Sequence, residues 1–290
     1  MTNNENVTGD GNTAGHGSAV GGEKGTLVIG GRGKTGRRVV ERLRRQGRPV
    51  RVGSRAGEPA FDWDEPAGWA AALAGTDRVY VTFQPDLSVP GAPDLIGALA
   101  EAAVAAGARR LVLLSGRGEE AARLCEERLK VPGAEWTVVR ASWFNQNFDE
   151  SLFVDSVRAG ELALPVADAV EPFVDADDIA DVVVAALTGD GHAGRTYELT
   201  GPRLLGLDEV AAELSKATGR EIAYVPVSAG DYRGVLRENG LPEELVELFT
   251  VILDGRNAHL ADGVRQVLGR EPKDFADYAR AAAASGAWDV

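Results

Sequence analysis

Cysteine and histidine are scarce in this sequence. The 290 residues include one cysteine, Cys125, and three histidines, His16, His192 and His259. A single cysteine excludes an internal disulfide and is typical of a reducing compartment, so we expect a cytoplasmic protein. No spacing of these residues resembles a set of zinc ligands, and we expect no metal centre, although counting alone leaves a carboxylate-held Mg²⁺ open.

Long apolar runs and an excess of positive charge are also missing. No stretch of about 18 uncharged apolar residues occurs, so no transmembrane helix is expected. The chain holds 44 Asp and Glu against 31 Lys and Arg, which gives a net charge of −13. Such a chain is repelled by phosphate backbones, so we expect neither a nucleic acid nor a membrane as partner. We expect a small-molecule substrate instead, bound by a monomer or a homodimer.

The first residues lack the features of a folded segment. Residues 1–24 are rich in Gly, Asn and Thr, with few large apolar side chains and no apolar core of a secretory signal. We expect them to form a disordered tail, with the folded chain beginning near residue 25.

From residue 26 the sequence alternates short apolar runs with amphipathic segments. Strands are predicted at 26–30, 49–53, 60–62, 78–82, 110–115 and 136–140, and helices at 34–47, 66–74, 92–107 and 118–130. Several of the strand runs are almost wholly apolar, as in strands buried on both faces. Residues 25–150 are therefore predicted to form an α/β domain, a Rossmann-like doubly wound parallel sheet.

Beyond residue 141 the alternation is less regular. Helices are predicted at 146–159, 207–218, 242–253 and 272–284, with a strand at 221–227, and the segment "RTYELTG" is predicted as another strand. "EPFVDADDIADVVVAAL" predicts a short strand and then a helix capped by Asp175 or Asp177. We expect residues 151–290 to form a small α+β lobe that binds the substrate and adds elements to the core.

A glycine-rich stretch, "LVIGGRGKTGRRVV" at residues 27–40, follows the first strand and opens the first helix. Gly30 permits a tight turn, Gly33 lets the backbone approach a pyrophosphate, and Gly36 lets helix and strand pack closely. Free N–H groups at the start of the helix then face the anion. Lys34 and Thr35 join these glycines as predicted cofactor-binding residues, and the alternative is a glycine-rich turn without a ligand.

The end of the second strand, "VRVGSR", suggests which dinucleotide is bound. An NAD site needs Asp or Glu there, ~20 residues after the glycines, to accept a hydrogen bond from the ribose 2′-hydroxyl. This strand end has Ser54 and Arg55 instead. A 2′-phosphate suits Arg55, Ser54 and the nearby Arg32, so NADP(H) is the predicted cofactor. The alternative for Arg55 is a solvated surface residue.

Further contacts follow from the rule that ligands lie at the carboxyl ends of parallel strands. The cofactor residues predicted by this rule are Asp62, Trp63, Thr82, Phe83, Gln84, Pro85 and Ser115. Trp63 fits a core position equally well. "RASWFNQNF" follows the sixth predicted strand, and with Phe83 its Trp143, Phe144, Asn145 and Asn147 are predicted to line a pocket for a flat substrate. The alternative is that the aromatic residues are core and one Asn caps the next helix.

With these residues in hand, the chain resembles the NmrA-like branch of the atypical short-chain dehydrogenases/reductases. The resemblance is carried by "LVIGGRGKTGRRV", "RVGSR", "LVLLSGRG", "WTVVRASWFNQNF" and "EPFVDADDIADVVVAAL". It spans about residues 26–200 and is looser over the last 90. It implies a core that binds NADP(H) and a substrate lobe. Members include quinone, azo and iminium reductases, and regulators that bind the cofactor without turnover.

The chain departs from the wider family at the catalytic pair. Short-chain dehydrogenases usually carry Tyr-x-x-x-Lys on the helix after the fifth predicted strand, but "EEAARLCEERLK" contains no Tyr. The two positions fall near Arg123 and Glu127, and Lys130 lies too late. Ser115 is the remaining candidate catalytic residue, as a hydrogen-bond donor to a substrate oxygen. The alternative is that its hydroxyl only ties down the loop or the cofactor.

The missing pair bears on the predicted reaction. A ketone needs a proton donor for its alkoxide, whereas a quinone or an iminium does not need that same donor. The sequence therefore predicts an NADPH-dependent reductase of a quinone-, imine- or enone-like molecule. Two alternatives remain open, namely a cofactor-binding sensor without turnover and a non-redox cyclase or isomerase.

Overall fold

The computed structural model describes residues 24–151, 153–166, 168–238, 240–243, 245–247, 249–250 and 253–290. The tail predicted over residues 1–24 lies outside the described residues except for Lys24. Within the described chain, no helix is long and apolar enough to cross a membrane.

A parallel sheet forms the centre of the molecule. Its strands are β1 (Gly25–Ile29), β2 (Val50–Gly53), β3 (Thr76–Val81), β4 (Arg110–Gly116), β5 (Glu135–Ala141) and β7 (Arg195–Leu199). They lie in the order β2-β1-β3-β4-β5-β7, and every pair is parallel. Strand β1 lies inside the sheet, with β2 on one side of it and β3 on the other. The direction in which strands are added therefore reverses between β1 and β3. This confirms the Rossmann-like fold and puts a topological switch point at the carboxyl ends of β1 and β3.

Helices cover both faces of the sheet. The helices are α1 (Lys34–Arg45), α2 (Trp69–Leu73), α3 (Ala92–Ala105), α4 (Glu120–Arg128), α5 (Val154–Ala159), α6 (Ala176–Thr188), α7 (Leu207–Thr218), α8 (Ala229–Glu238), α9 (Leu245–Glu247), α10 (Gly263–Leu268) and α11 (Phe275–Ala284). Leu27 and Ile29 pack toward α2, α3 and α4, whereas Val28 packs toward α1 and α6. Burial of alternate residues on both faces explains the nearly continuous apolar runs of these strands.

The C-terminal lobe has its own core. The short strands β6 (Glu161–Leu164) and β8 (Ala223–Pro226) pair in parallel. Phe148, Phe153 and Phe275 pack there against residues of α7, α11 and the chain end. The side chain of Asp175 accepts from the backbone N–H of Asp177 and so caps α6, as one of the two sequence alternatives predicted.

Several sequence predictions of single elements are wrong. Residues 60–62 are not a strand, because Phe61 packs in an aromatic cluster with Trp63 and Trp69 while the backbone joins no ladder. The helix predicted at 146–159 is split into a 3₁₀ turn, Asn145–Asn147, and α5. The strand predicted in "EPFVDADD" is reduced to isolated bridges, and β6, α8 and α10 were not predicted. Of the helix predicted at 242–253, α9 is described, while four of the other positions lie outside the described residues.

A lattice of ion pairs joins α1 to α6 and the lobe. Arg38 contacts Glu150 and Asp177, and Arg42 contacts Asp177 at 2.8 Å as well as Asp181. The carboxylates of Asp177 and Asp181 in turn meet Lys273 and Arg270 from the segment before α11. These side chains are mostly shielded from solvent, and as a network they hold α1 in a defined position more firmly than isolated surface pairs would.

The start of α1 is held closest to the sheet by two glycines. Gly30 has a φ of 65°, in the left-handed region that favours glycine, and a Cβ on Gly36 would overlap the carbonyl group of Gly30. Because the obstacle is backbone, it cannot move aside as a side chain can. Helix α1 can thus approach β1 this closely only with glycine at position 36.

Gly36→Ala is expected to lower the free energy of unfolding by about 1–3 kcal/mol, because the new methyl group overlaps backbone atoms. Gly234→Ala in α8 is the control. Its Cβ meets no atom within 4 Å, so the helix is expected to gain about 0.5–1 kcal/mol. Urea denaturation of both variants measures the difference, and equal stability of the two would contradict the packing described for Gly36.

Candidate functional site

The glycine loop turns the chain from β1 into α1 at the carboxyl edge of the sheet. Gly33 caps the helix, so the first N–H groups of α1 point out of the loop without helical acceptors. The hydroxyl of the buried Thr35 accepts from Tyr80 at 3.0 Å, which ties the first turn of α1 to β3. This arrangement is suited to an anion such as a pyrophosphate.

A cavity of about 800 Å³ extends from the loop past the end of β2. Among its lining residues are the predicted cofactor contacts Gly30, Arg32, Gly33, Ser54, Arg55, Asp62, Trp63, Thr82, Gln84 and Pro85. Arg32 and Arg55 are exposed, and no described residue forms an ion pair or a hydrogen bond with either guanidinium. The buried hydroxyl oxygen of Ser54 also has no hydrogen-bond partner in the described chain. An anionic group at this end of the cavity would supply the partner that all three lack.

Trp63 packs in the core and also lines the first cavity. Its ring packs on Phe61, Trp69 and Phe83, with 4.6 Å between the ring centres of Trp63 and Phe83, and its Nε1 donates to the Thr82 carbonyl at 3.2 Å. The same ring lines the cavity. The tryptophan is thus anchored in the core and presents a rigid wall to a ligand.

A second cavity, of about 500 Å³, adjoins the first at Thr82 and Pro85. Its walls include the predicted residues Lys34, Phe83, Ser115, Trp143, Phe144 and Asn147. Together the two cavities form one cleft along the carboxyl edge of the sheet. The cleft runs from the glycine loop to the aromatic residues that follow β5.

Asn145 does not lie in this cleft, contrary to the sequence prediction. It is fully buried, its backbone N–H donates to Val174 at 2.9 Å, and its side-chain oxygen and nitrogen have no partner in the described chain. The 3₁₀ turn explains the difference, since it directs Asn147 to the cleft and Asn145 into the interior.

Lys34 links the start of α1 to the lobe. Its Nζ donates to the Asn147 side-chain oxygen and to the Ser151 hydroxyl, both at 2.6 Å. Burial lowers the pKa of Lys34, and the nearby Glu150 opposes that shift. The ammonium group therefore lies at the wall of the second cavity, between the start of α1 and the segment that follows β5.

Ser115 is engaged with a buried carboxylate. Its hydroxyl donates to Glu126 at 2.7 Å, and Glu126 also accepts two hydrogen bonds from Arg140, at 2.6 and 2.8 Å. Arg140 continues the network to Glu198. While this bond is made, the serine oxygen can accept but cannot donate to a substrate.

Two carboxyl groups in the second cavity were missed by the sequence analysis. Burial raises the pKa of Glu119 to about 7, and the negative charge of Asp86 adds to the effect. Burial also raises the pKa of Glu171 to about 7, against the opposing influence of the Trp143 N–H and of Arg117. Glu119 could have been found, since it lies three residues past β4. Glu171 gives no local signal, because only the fold brings it to Trp143.

Arg117 lines the same cavity but is occupied by the protein itself. Its guanidinium donates to Glu198, Ser142, the Asn257 carbonyl and His259, the last through both the ring and the carbonyl. All five N–H groups are therefore used. Arg117 fixes the segment around Asn257 over the end of β4 and has no donor left for a ligand.

The two positions that would hold the missing catalytic pair line neither cavity. Arg123 and Glu127 of α4 are largely exposed, and Arg123 pairs with Glu120. No tyrosine is among the described residues that line either cavity. On the same helix, the thiol of Cys125 is fully buried against the Leu87 carbonyl, and burial raises its pKa to about 11.

Comparison with known proteins relates the chain to NAD(P)H-binding proteins. A sequence profile described as NAD(P)H-binding matches residues 30–190. An NAD(P)H azoreductase from Xenophilus azovorans is 34% identical over 89% of this chain and 98% of that protein. An agroclavine dehydrogenase from Claviceps fusiformis is 31% identical over 87% and 95%. A crystal structure of an NADPH-dependent quinone oxidoreductase from Escherichia coli with NADPH has the same fold, with a TM-score of 0.73, 21% identity, and coverage of 88% and 98%.

Ser115→Ala is expected to lower the free energy of unfolding by about 1.5–3 kcal/mol, because Glu126 loses a buried hydrogen bond to a charged acceptor. Ser88→Ala, which removes an exposed hydroxyl, is the control and should leave stability unchanged. Thermal and urea unfolding measure both. A loss of turnover at unchanged stability would instead support the catalytic role expected from the sequence.

Proposed function

Because the chain belongs to the NAD(P)H-binding family and to the NmrA-like atypical short-chain dehydrogenases/reductases, we propose that it is an NADPH-dependent reductase of small quinone-, imine- or enone-like molecules. The observation that carries this proposal is the continuous cleft. It starts at a phosphate loop with free helical N–H groups and ends in an aromatic cavity of about 500 Å³ that no described tyrosine lines.

The preference for NADPH over NADH rests on the end of β2. No Asp or Glu occurs in "VRVGSR" to accept from a ribose 2′-hydroxyl. Arg32 and Arg55 are free of carboxylate partners, whereas the neighbouring Arg37 and Arg38 pair with Glu150. The unpartnered Ser54 hydroxyl adds a donor beside them. These three groups are suited to hold a 2′-phosphate by charge-assisted hydrogen bonds.

The substrate class rests on the walls of the second cavity. Phe83, Trp143 and Phe144 offer flat apolar surface, and Asn147 offers an amide close to Lys34. Such a cavity favours a planar conjugated molecule with a few polar atoms. Two relatives that align with most of this chain are named azoreductase and agroclavine dehydrogenase. Their names agree with a conjugated substrate of this kind.

The residues of the cleft would act mainly by positioning. The nicotinamide of a bound NADPH supplies hydride chemistry, and the chain must hold the acceptor beside it. The glycine loop and Arg55 bind the phosphates, and Trp63 fixes the width of the adenosine end. The aromatic walls exclude water and align the substrate, while the hydroxyl of Ser115 accepts rather than donates.

Arg55→Ala is expected to weaken NADPH binding by ~1.5–3 kcal/mol and to leave NADH binding almost unchanged, since only NADPH carries the 2′-phosphate. Arg109→Ala is the matched control, because Arg109 is an exposed arginine at the opposite end of β4. Fluorescence titration with each cofactor gives the affinities. Equal losses for NADPH and NADH would contradict the role of Arg55.

The wild-type chain is expected to oxidise NADPH in the presence of at least one class in a panel of quinones, azo dyes, imines and enones. Loss of NADPH absorbance measures the reaction, with the Gly36→Ala variant as a control for the cofactor loop. Tight NADPH binding without oxidation across the panel would favour a sensor. Turnover of a pathway intermediate without any change in NADPH would favour a non-redox enzyme.

A further inference from the structure

Glu119 has a partly buried carboxyl group that takes no part in the hydrogen bonds and ion pairs of the described chain. It stands at the N-cap position of α4, yet its side chain makes no capping hydrogen bond. Among the residues that the structure describes, none donates to its carboxyl oxygens or forms an ion pair with it. It lines the second cavity together with Ser115 and Gly116, at the end of β4.

The position of this carboxyl depends on a neighbouring glycine. A Cβ on Gly116 would overlap the Glu119 carboxyl oxygens, so any larger residue at position 116 would displace them. The carboxyl therefore lies directly over the backbone at the end of β4. Because ligands lie outside the carboxyl ends of the strands in an open parallel sheet, this backbone faces the cleft in which a ligand is expected.

The charged groups around Glu119 come from four parts of the cavity. Asp86 follows β3, Lys34 opens α1, Arg117 shares the Glu119 loop, and Glu171 precedes α6. The cations are already engaged, Lys34 by Asn147 and Ser151, and Arg117 through all of its donors. No cation among the described residues therefore stabilises the charged form of Glu119, and burial together with the negative charge of Asp86 raises its pKa to about 7.

Glu171 is less suited to meet a substrate, although its pKa is raised in the same way. Glu171 is only 3% exposed, and its carboxyl group accepts a hydrogen bond from the Trp143 backbone N–H. The positive charge of Arg117 also favours the charged form of Glu171. Glu119 is more exposed to the cavity and has no such ties.

We propose that Glu119 is the catalytic acid of this site, and that it takes the place of the absent tyrosine for substrates whose reduction leaves a basic anion. The proposal rests on the reductase function proposed above. It adds a catalytic residue to that function and restricts its role to neutral conjugated acceptors such as enones, as distinct from quinones, whose reduced anion takes its proton from water.

The reaction balances with the cofactor as hydride source. Addition of hydride to the β-carbon of an enone forms a C–H bond and moves the π electron pair onto the enolate. The O–H bond of Glu119 then breaks, and its proton goes to the enolate to give the saturated ketone. The Glu119 carboxylate takes a proton from solvent, so one NADPH and one proton are consumed for each enone reduced.

Glu119→Gln tests the proposal with cyclohexenone and menadione as the two acceptors. The ratio of kcat for cyclohexenone to kcat for menadione is expected to fall by about 10²-fold, the usual contribution of a general acid. Glu120→Gln is the matched control, since Glu120 is the adjacent residue with its side chain largely exposed. In the wild type, kcat for cyclohexenone should be highest below pH 7 and fall above it, and Glu119→Gln should remove that fall.

A second measurement does not depend on turnover. The infrared difference spectrum of Glu119→Gln minus wild type at neutral pH should show the loss of one C=O component of a protonated carboxyl, and that of Glu120→Gln minus wild type should show no such loss. Glu171, whose pKa burial also raises to about 7, contributes its own component to all three proteins and cancels in both differences. An unchanged rate ratio, an unchanged spectrum, or a wild type that reduces menadione but not cyclohexenone would overturn the proposal. A wild type that reduces neither acceptor and nothing else in the panel would overturn the reductase function itself.

Discussion

The close approach of Gly36 to the Gly30 carbonyl is the contact on which the site depends. It brings the first turn of α1 down onto the end of β1, so that the helical N–H groups open into the cleft instead of into solvent. The ion pairs of Arg38 and Arg42 with α6 then hold the rest of the helix. With α1 placed in this way, Lys34 reaches Asn147 and Ser151 and lines the second cavity.

The cations near the loop divide into two groups with different tasks. Arg37, Arg38 and Arg42 are paired with carboxylates and belong to the packing of α1. Arg32 and Arg55 are exposed and unpaired within the described chain. The sequence distinguished Arg32 and Arg55 by their positions, and the carboxylate partners of the other three arginines now separate structural cations from those that are available to a ligand. The proposed cofactor preference thus rests on surface residues that the fold does not need.

Much of the fold could be predicted from the sequence because the central strands are buried on both faces and so appear as apolar runs. The error at 60–62 has a physical source, since an aromatic cluster around Phe61 has the composition of a strand but no backbone partner. The rule that ligands lie at the carboxyl ends of the strands predicted several residues that line the cleft, among them Thr82, Phe83 and Asn147. The rule could not separate Asn145 from Asn147, because a single 3₁₀ turn is too short to show a periodicity in the sequence. Glu171 and Asn257 reach the cavity from segments whose course depends on the lobe.

The enclosure of Cys125 has a consequence for the chemistry proposed here. Quinones and enones are electrophiles that alkylate exposed thiolates, and the thiolate form is the one that reacts. The single sulfhydryl of this chain is fully buried, and burial raises its pKa to about 11, so it is both inaccessible and protonated. A reductase built in this way offers its own substrates no sulfur nucleophile, and repeated exposure to reactive acceptors leaves it free of self-inactivation through cysteine.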